Sequence, residues 1–316
     1  MKPLRHNEIR GSWASVLLPI RADDCIDYGL LTDQIDRLIA IGVSGIYSNG
    51  TAGEFYNLRE DEFDRVSEIL ANACNRSELP FQIGVSHMSP VISLERLKRS
   101  IELAPGAVQI ILPDWFPTNM NESIAFLQRM ADCAGDIPLI LYNPPHAKVV
   151  LSPDNIIHLK RAVPSLAGVK VGAVDETWIR KLTTAVRDIS VFIPGHTLAS
   201  GIRMGAHGAY SNVACLNPRA AQQWYACMQT DIEEALRIEK KIQRFINDYI
   251  YPFIRDLQYS NQAVDKFMAC IGGWTRLTPR LRWPYKGIPA SEVKRLRAIL
   301  KRLLPEFVED RPLNNV

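Results

Sequence analysis

Cysteine is scarce in this sequence, and its cysteines are isolated from one another. The 316 residues include six of them, at positions 25, 74, 133, 215, 227 and 270, and no two have a Cys-x-x-Cys spacing. Zinc ribbons and redox-active thiol pairs are recognised by that spacing, so the sequence argues against both. A low cysteine content also suits a reducing compartment.

Long apolar runs and a strong excess of one charge are missing as well. No run reaches the roughly 18 residues that a membrane span needs, and the N-terminal stretch "MKPLRHNEIRGS" has no apolar core typical of a secretory signal. The formal net charge of +3 is too small to indicate a nucleic-acid partner. We therefore expect a soluble, cytoplasmic protein that binds neither membranes nor nucleic acids.

The sequence does contain short apolar runs that alternate with longer amphipathic stretches. The short runs predict eight strands, at residues 12–19, 44–50, 81–86, 107–113, 137–145, 166–172, 189–195 and 208–214. Strand–helix alternation predicts right-handed βαβ units and a parallel sheet, and eight such units favour a closed (β/α)8 TIM barrel. An open doubly wound sheet is the alternative, although no Gly-x-Gly-x-x-Gly follows the first strand.

The remainder of the chain reads as helical. Residues 230–254 and 290–304 carry apolar positions at helical spacing, and no Gly-, Ser- or Pro-rich linker precedes them. We predict an α/β protein with a barrel over residues 1–220 and a C-terminal helical extension over residues 221–316 that packs on the barrel.

A single lysine, Lys170, interrupts the apolar stretch "SLAGVKVGAV" at the end of the sixth strand. Reactive residues of such barrels lie at the C-terminal strand ends, and the fifth strand ends nearby with Tyr142. A neutral amine in apolar surroundings can attack a ketone and form a Schiff base, while a tyrosine can transfer protons. Alternatively, Lys170 extends to water and Tyr142 is a half-buried tyrosine with one hydrogen bond.

The segment "NGTAGEF" (49–55) follows the second strand. Its exposed N–H groups and the Thr51 hydroxyl are suited to a carboxylate, although an ordinary βα turn would read the same, and the Gly-Lys-Ser/Thr ending of a phosphate loop is absent. The six histidines show neither His-x-x-x-His nor His-Glu-x-x-His, so we predict no metal site. A metal-dependent barrel hydrolase or aldolase that uses Glu54, Asp114 and strand-end histidines remains an alternative.

Four motifs together resemble a known family. The segments "GTAGE" (50–54), "LYNPP" (141–145), "GVK" (168–170) and "GAHGAYS" (205–211) occur in the order seen in the dihydrodipicolinate synthase / N-acetylneuraminate lyase family. The resemblance covers roughly residues 10–215. It implies a (β/α)8 enzyme of the class I type, which forms a Schiff base with pyruvate or a related 2-oxo acid.

The resemblance also implies roles for individual residues and an assembly. By position, Lys170 resembles the Schiff-base lysine, and Tyr142 resembles the tyrosine that relays protons and orients the substrate carboxyl. Thr51 and the N–H of Ala52 resemble the carboxylate-binding turn. The residues that match pocket-lining positions are Gly195 and Tyr210. The resemblance further implies a homotetramer of two tight dimers, and we expect neither a metal nor a cofactor.

Departures from the family's pattern concern the second substrate. Ala147 stands where the lysine-biosynthetic synthases carry an arginine, the loop at 114–116 lacks their phenol, and Ala52 replaces a second hydroxyl. We therefore predict a Schiff-base lyase (aldolase, synthase or dehydratase) outside lysine biosynthesis, with His146 and Lys148 as candidate contacts for the distal end of the substrate. A non-catalytic 2-oxo-acid-binding protein on the same scaffold is the alternative.

Overall fold

A computed structural model describes residues 1–309 of the chain. Eight parallel strands form a closed barrel in sequence order, and the last strand pairs with the first. They are β1 (Gly11–Ser15), β2 (Ile46–Ser48), β3 (Phe81–Gly84), β4 (Ala107–Ile111), β5 (Leu139–Tyr142), β6 (Leu166–Lys170), β7 (Ser190–Pro194) and β8 (Gly208–Tyr210). The predicted TIM barrel is confirmed.

Helices follow the strands and form the outer ring. They are α1 (Tyr28–Ile41), α2 (Glu60–Ser77), α3 (Pro90–Ile101), α4 (Met120–Ala134), α5 (Pro153–Ala162), α6 (Glu176–Ala185), α7 (Leu198–Met204), α8 (Asn212–Leu216) and α9 (Pro218–Thr230). Their ends follow local chemistry: the Asp27 side chain caps α1, and Gly42 ends that helix at φ 73°, a left-handed conformation that glycine adopts without strain.

All eight strands are shorter than the sequence predicts. In the eighth, the prediction of one strand over residues 208–214 is wrong, because residues 212–214 belong to a helix. The hydroxyl of Ser211 accepts a hydrogen bond from the Ala214 N–H and begins α8 at Asn212. A serine at this position satisfies an N–H group that the first turn of a helix leaves unpaired, so the chain leaves the barrel at once.

The C-terminal extension is mostly helical, apart from an irregular segment over residues 273–290. It contains α10 (Ile232–Phe245), a π-helical turn (Ile246–Ile250), α11 (Tyr251–Arg255), α12 (Asn261–Gly272) and α13 (Ser291–Leu303). Helix α12 packs on α8 and on the turn after β2. The predicted division after residue 220 lies within α9, and residues 310–316 of the predicted extension lie outside the described residues.

Large side chains fill the interior of the barrel. Trp13, Tyr47, Phe192 and Tyr210 form a buried aromatic cluster with Ile140. The interior is therefore a packed core, and a ligand can reach the strand ends only at the mouth of the barrel. Within residues 1–309, none of the helices combines the length and the apolar character needed to cross a bilayer.

Candidate active site

Tyr142 and Lys170 lie side by side at the mouth of the barrel. The register of β5 and β6 places them opposite each other, and the Asn143 N–H donates a 2.8 Å hydrogen bond to the Lys170 carbonyl. The Lys170 Nζ lies 3.8 Å from the centroid of the Tyr142 ring, which is a close cation–π contact. Tyr142 is buried and Lys170 is partly exposed. The structure thus brings together the two residues that sequence analysis paired.

The turn after β2 presents backbone donors to the same mouth. Residues Thr51–Gly53 form one short helical turn, in which the Gly53 N–H donates to the Gly50 carbonyl and the Glu54 N–H to the Thr51 carbonyl, both at 3.0 Å. The first N–H groups of such a turn, those of Thr51 and Ala52, have no acceptor within it. Adjacent N–H groups together with a hydroxyl can hold a carboxylate.

A buried ion pair holds this turn in place. The Lys266 Nζ on α12 donates to Glu54 Oε1 at 2.5 Å and to the Arg280 carbonyl at 2.8 Å, and the Arg282 N–H donates to Glu54 Oε2 at 3.2 Å. Both side chains of the pair are fully buried. Burial lowers the pKa of Lys266, and the charge of Glu54 opposes this shift. Glu54 therefore has a structural partner.

The described residues also bear on the alternative of a metal-dependent enzyme. Within residues 1–309, no three His, Cys, Asp or Glu side chains are grouped so that they could hold a metal ion. Asp114, the second carboxylate of that alternative, accepts a 2.8 Å hydrogen bond from the Lys148 N–H. The Lys148 Nζ donates to the Trp115 carbonyl at 2.5 Å. These contacts join the loops after β4 and β5, and His146 is exposed beside them.

Gly195 allows the ends of β7 and β8 to approach each other. A Cβ at this position would lie 2.5 Å from the Ser211 Oγ and 2.8 Å from the Asn212 Oδ1. Such distances are shorter than atomic contacts allow. Gly195 is therefore required by packing beside the mouth, and its role in lining the pocket stays a prediction.

Tyr210 lies within the barrel interior, although it ends β8. Its ring is 4.3 Å from that of Tyr47 between centroids, and its hydroxyl donates to Gln82 Oε1 at 2.5 Å. Burial raises the pKa of Tyr210, so the hydroxyl stays protonated. The structure gives Tyr210 a packing role, and its contact with substrate stays a prediction.

His196 belongs to a chain of polar groups on the β7–β8 side of the mouth. Its Nδ1 lies 3.0 Å from the Asn212 Nδ2, and its Nε2 lies 3.1 Å from the Tyr251 hydroxyl. Burial lowers the pKa of His196, which favours the neutral imidazole. His196 is one of the strand-end histidines of the metal alternative. Tyr251 could not be predicted beside it, because this tyrosine comes from the distant extension.

Asp265 on α12 is a further group near Lys170 that the sequence did not predict. This carboxyl is partly buried and interacts electrostatically with Lys170. Burial raises the pKa of Asp265 from 3.8 to about 7, although the positive charge of Lys170 opposes the shift. The segment "AVDKF" is an ordinary helical pattern, and it contains no signal that its aspartate faces a lysine of β6.

The fold and the motifs can be compared with known proteins. Residues 8–303 match the model of the dihydrodipicolinate synthetase family. The chain is 26% identical to a 4-hydroxy-tetrahydrodipicolinate synthase of Acidobacterium capsulatum, over 95% of this chain and 96% of that protein. It is 25% identical to the N-acetylneuraminate lyase of Mus musculus, over 97% of each.

A solved structure shows the same fold. YagE of E. coli K12, a member of the dihydrodipicolinic acid synthase family in complex with pyruvate, superposes with a TM-score of 0.82 at 19% identity, over 93% of this chain and 98% of that chain. Together with the match over residues 8–303, these findings mean that the chain belongs to the dihydrodipicolinate synthetase family and is a lyase of that family.

Proposed function

We propose that this lyase forms a Schiff base between Lys170 and pyruvate or a related 2-oxo acid. The observation that carries the proposal is the adjacency of Lys170 and Tyr142, whose Nζ and ring centroid are 3.8 Å apart at the end of two neighbouring strands. The pyruvate complex of YagE supports the class of ligand. A buried tyrosine beside a partly exposed amine provides a nucleophile and a proton relay in one place.

The chemistry follows from these two side chains and the turn after β2. The N–H groups of Thr51 and Ala52 hold the substrate carboxylate, and the neutral amine of Lys170 attacks the adjacent ketone carbon. Tyr142 transfers a proton from the nitrogen to the oxygen. The proton that the Lys170 ammonium gave up on becoming an amine is then added to this hydroxyl, water leaves, and an iminium ion results. The iminium accepts the electron pair that is released when a neighbouring bond breaks or a proton leaves.

We further propose that the second substrate is not that of the lysine-biosynthetic synthases. A small cavity beside Tyr142 is lined by Leu112, Thr118, Ala147 and Val149. This wall carries a methyl group at position 147, where an arginine would hold an anionic aldehyde substrate. An aldolase or dehydratase acting on a 2-oxo (sugar) acid fits this wall better, with His146 and Lys148 near its distal end.

Reductive trapping tests the proposal. The protein is incubated with pyruvate and borohydride, its intact mass is measured, and the modified peptide is mapped. We expect a stable adduct on Lys170, and no adduct and no activity in Lys170→Ala with its fold retained. Lys181→Ala is the matched control, because Lys181 is an exposed lysine that pairs with Asp154 on the outer ring.

The results of the trapping experiment distinguish between the candidate functions. An adduct only with longer 2-oxo acids would favour a dehydratase, and an adduct without turnover of any aldehyde or sugar acid would favour the binding-protein alternative. Full activity in Lys170→Ala, or no adduct with any 2-oxo acid, would contradict the proposal.

The assembly and the compartment are proposed on the same basis. The family resemblance implies a homotetramer, and the loop after β4 exposes two large apolar side chains, Trp115 and Phe116, which suit a contact between copies of the chain. A location in the cytoplasm stays a prediction from the sequence.

A further inference from the structure

Helix α12 of the C-terminal extension presents one face to the mouth of the barrel. The Gln262 Nε2 donates to the Tyr56 hydroxyl and the Lys266 Nζ donates to Glu54 Oε1, both at 2.5 Å. Positions 262, 265 and 266 lie on one side of a helix, because residues three and four apart are neighbours on its surface. The two flanking contacts therefore direct Asp265 toward the barrel.

Asp265 meets titratable groups from four other elements. It interacts electrostatically with Lys170 of β6, Tyr47 of β2, Cys215 of α8 and Tyr251 of α11. Three of these four partners are neutral acids, since burial raises the pKa of Tyr47, of Cys215 and of Tyr251. Among residues 1–309, Lys170 is thus the one cation that interacts electrostatically with Asp265.

The other charged residue of α12 is Lys266, and its charge is already paired. Lys266 is held by Glu54, and within residues 1–309 the side chain of Asp265 has no hydrogen bond to another protein group and no direct salt bridge. A partly buried carboxyl without donors disfavours its charged form, and this is why the pKa of Asp265 rises to about 7. A general base is most effective when its pKa lies near the working pH.

We propose that Asp265 is the catalytic proton carrier of Lys170 during imine formation. The inference rests on the proposed function, because it needs a 2-oxo acid at Lys170. The two side chains interact electrostatically without a direct salt bridge, so in this proposal the proton passes between them through water or a substrate oxygen.

Every proton in this step can be followed from its donor to its acceptor. The Asp265 carboxylate takes one proton from the Lys170 ammonium, and the resulting amine forms a bond to the ketone carbon while the carbonyl electron pair moves to oxygen. Tyr142 transfers a proton from nitrogen to that oxygen. The Asp265 carboxyl then returns its proton to the hydroxyl, the carbon–oxygen bond breaks, and water leaves. Ketone and ammonium thus give iminium and water.

The test measures the rate of the borohydride-trapped adduct with pyruvate between about pH 5 and 9, around the expected pKa. In the wild type we expect the rate to fall as the pH drops through about 7, because the base becomes protonated. Asp265→Asn should form the adduct at least about 100-fold more slowly and lose this acid limb. Asp265→Glu, which keeps a carboxyl, should restore both in large part.

The control is Asp256→Asn, the same chemical change at an exposed aspartate that pairs with Arg255; it should behave as the wild type. Asp265→Asn should fold, because a neutral amide replaces a carboxyl whose charged form is disfavoured, and circular dichroism checks this. A wild-type rate and pH profile in Asp265→Asn, or a slower rate with the acid limb retained, would overturn this inference alone. No adduct in the wild type would instead overturn the proposed function, and this inference with it.

Discussion

The ring and the hydroxyl of Tyr142 are expected to have separate roles. The ring supports the Lys170 ammonium at 3.8 Å, whereas the hydroxyl would relay protons. Tyr142→Phe keeps the ring and should hold Lys170 in place, but it should slow imine formation by about 10²- to 10⁴-fold. Rapid-quench trapping with pyruvate measures this rate.

The matched control is the same Tyr-to-Phe change at a tyrosine outside the proposed site. Tyr225→Phe removes the hydroxyl of a tyrosine on α9 that lies beside Gly11 at the start of β1, at the opposite end of the barrel from Lys170, and should leave the rate unchanged. Equal imine formation in Tyr142→Phe and the wild type would show that another group moves the proton.

Single residues differ in how far the sequence reveals them. Lys170 could be predicted because a lone ammonium in an apolar strand needs a reason, and Tyr142 because its strand is the next one in the barrel. Asp265 could not, because its partner lies on β6 and helical periodicity says only that position 265 faces something. Gly195 is explained by an approach of two strand ends that no local pattern encodes.

The turn after β2 and helix α12 act as one unit. Lys266→Met leaves the buried Glu54 carboxylate uncompensated, so we expect a loss of about 3–5 kcal/mol in the free energy of unfolding. The turn proposed to bind the substrate carboxylate should also loosen, and the apparent affinity for pyruvate should fall. Urea denaturation and the pyruvate dependence of trapping measure the two effects.

The double variant Glu54→Gln/Lys266→Met is the control for this element. It removes both charges, so no buried charge is left unpaired, and most of the lost stability should return. A loss of less than about 1 kcal/mol in the free energy of unfolding of Lys266→Met would show that the ion pair does not hold the turn in place.

At the scale of elements, strands were easier to predict than the helices of the extension. Apolar runs bounded by turn residues located all eight strands, but the run at 208–214 includes residues that β8 does not use, because Ser211 caps α8. The general helical character of the tail was predictable, whereas the path of α12 over α8 and the β2 turn depends on contacts that are distant in sequence.

At the scale of the whole molecule, closure of the barrel followed from counting βα units, since eight of them fit a closed sheet. The mouth of the barrel, by contrast, is built from elements that are far apart in the sequence. The turn proposed to bind the carboxylate follows β2, the proposed Schiff-base lysine ends β6, and the extension contributes Lys266 and Asp265. The extension therefore belongs to the proposed site, and removing α12 should abolish the site as well as stability.

Association of whole chains is the last prediction. The side chains of Trp115 and Phe116 are 73% and 86% exposed and adjacent on the loop after β4, and neighbouring exposed apolar side chains that form a patch are typical of contact surfaces. We expect sedimentation velocity to show a tetramer. Trp115→Ser/Phe116→Ser should shift it toward smaller species, because these side chains would lie in the buried part of an interface.

Trp283→Ser, which changes an equally exposed tryptophan after α12, is the control and should leave the tetramer intact. A monomer at all concentrations would contradict the proposed assembly, and trapping at Lys170 in that monomer would show that the mouth needs no partner.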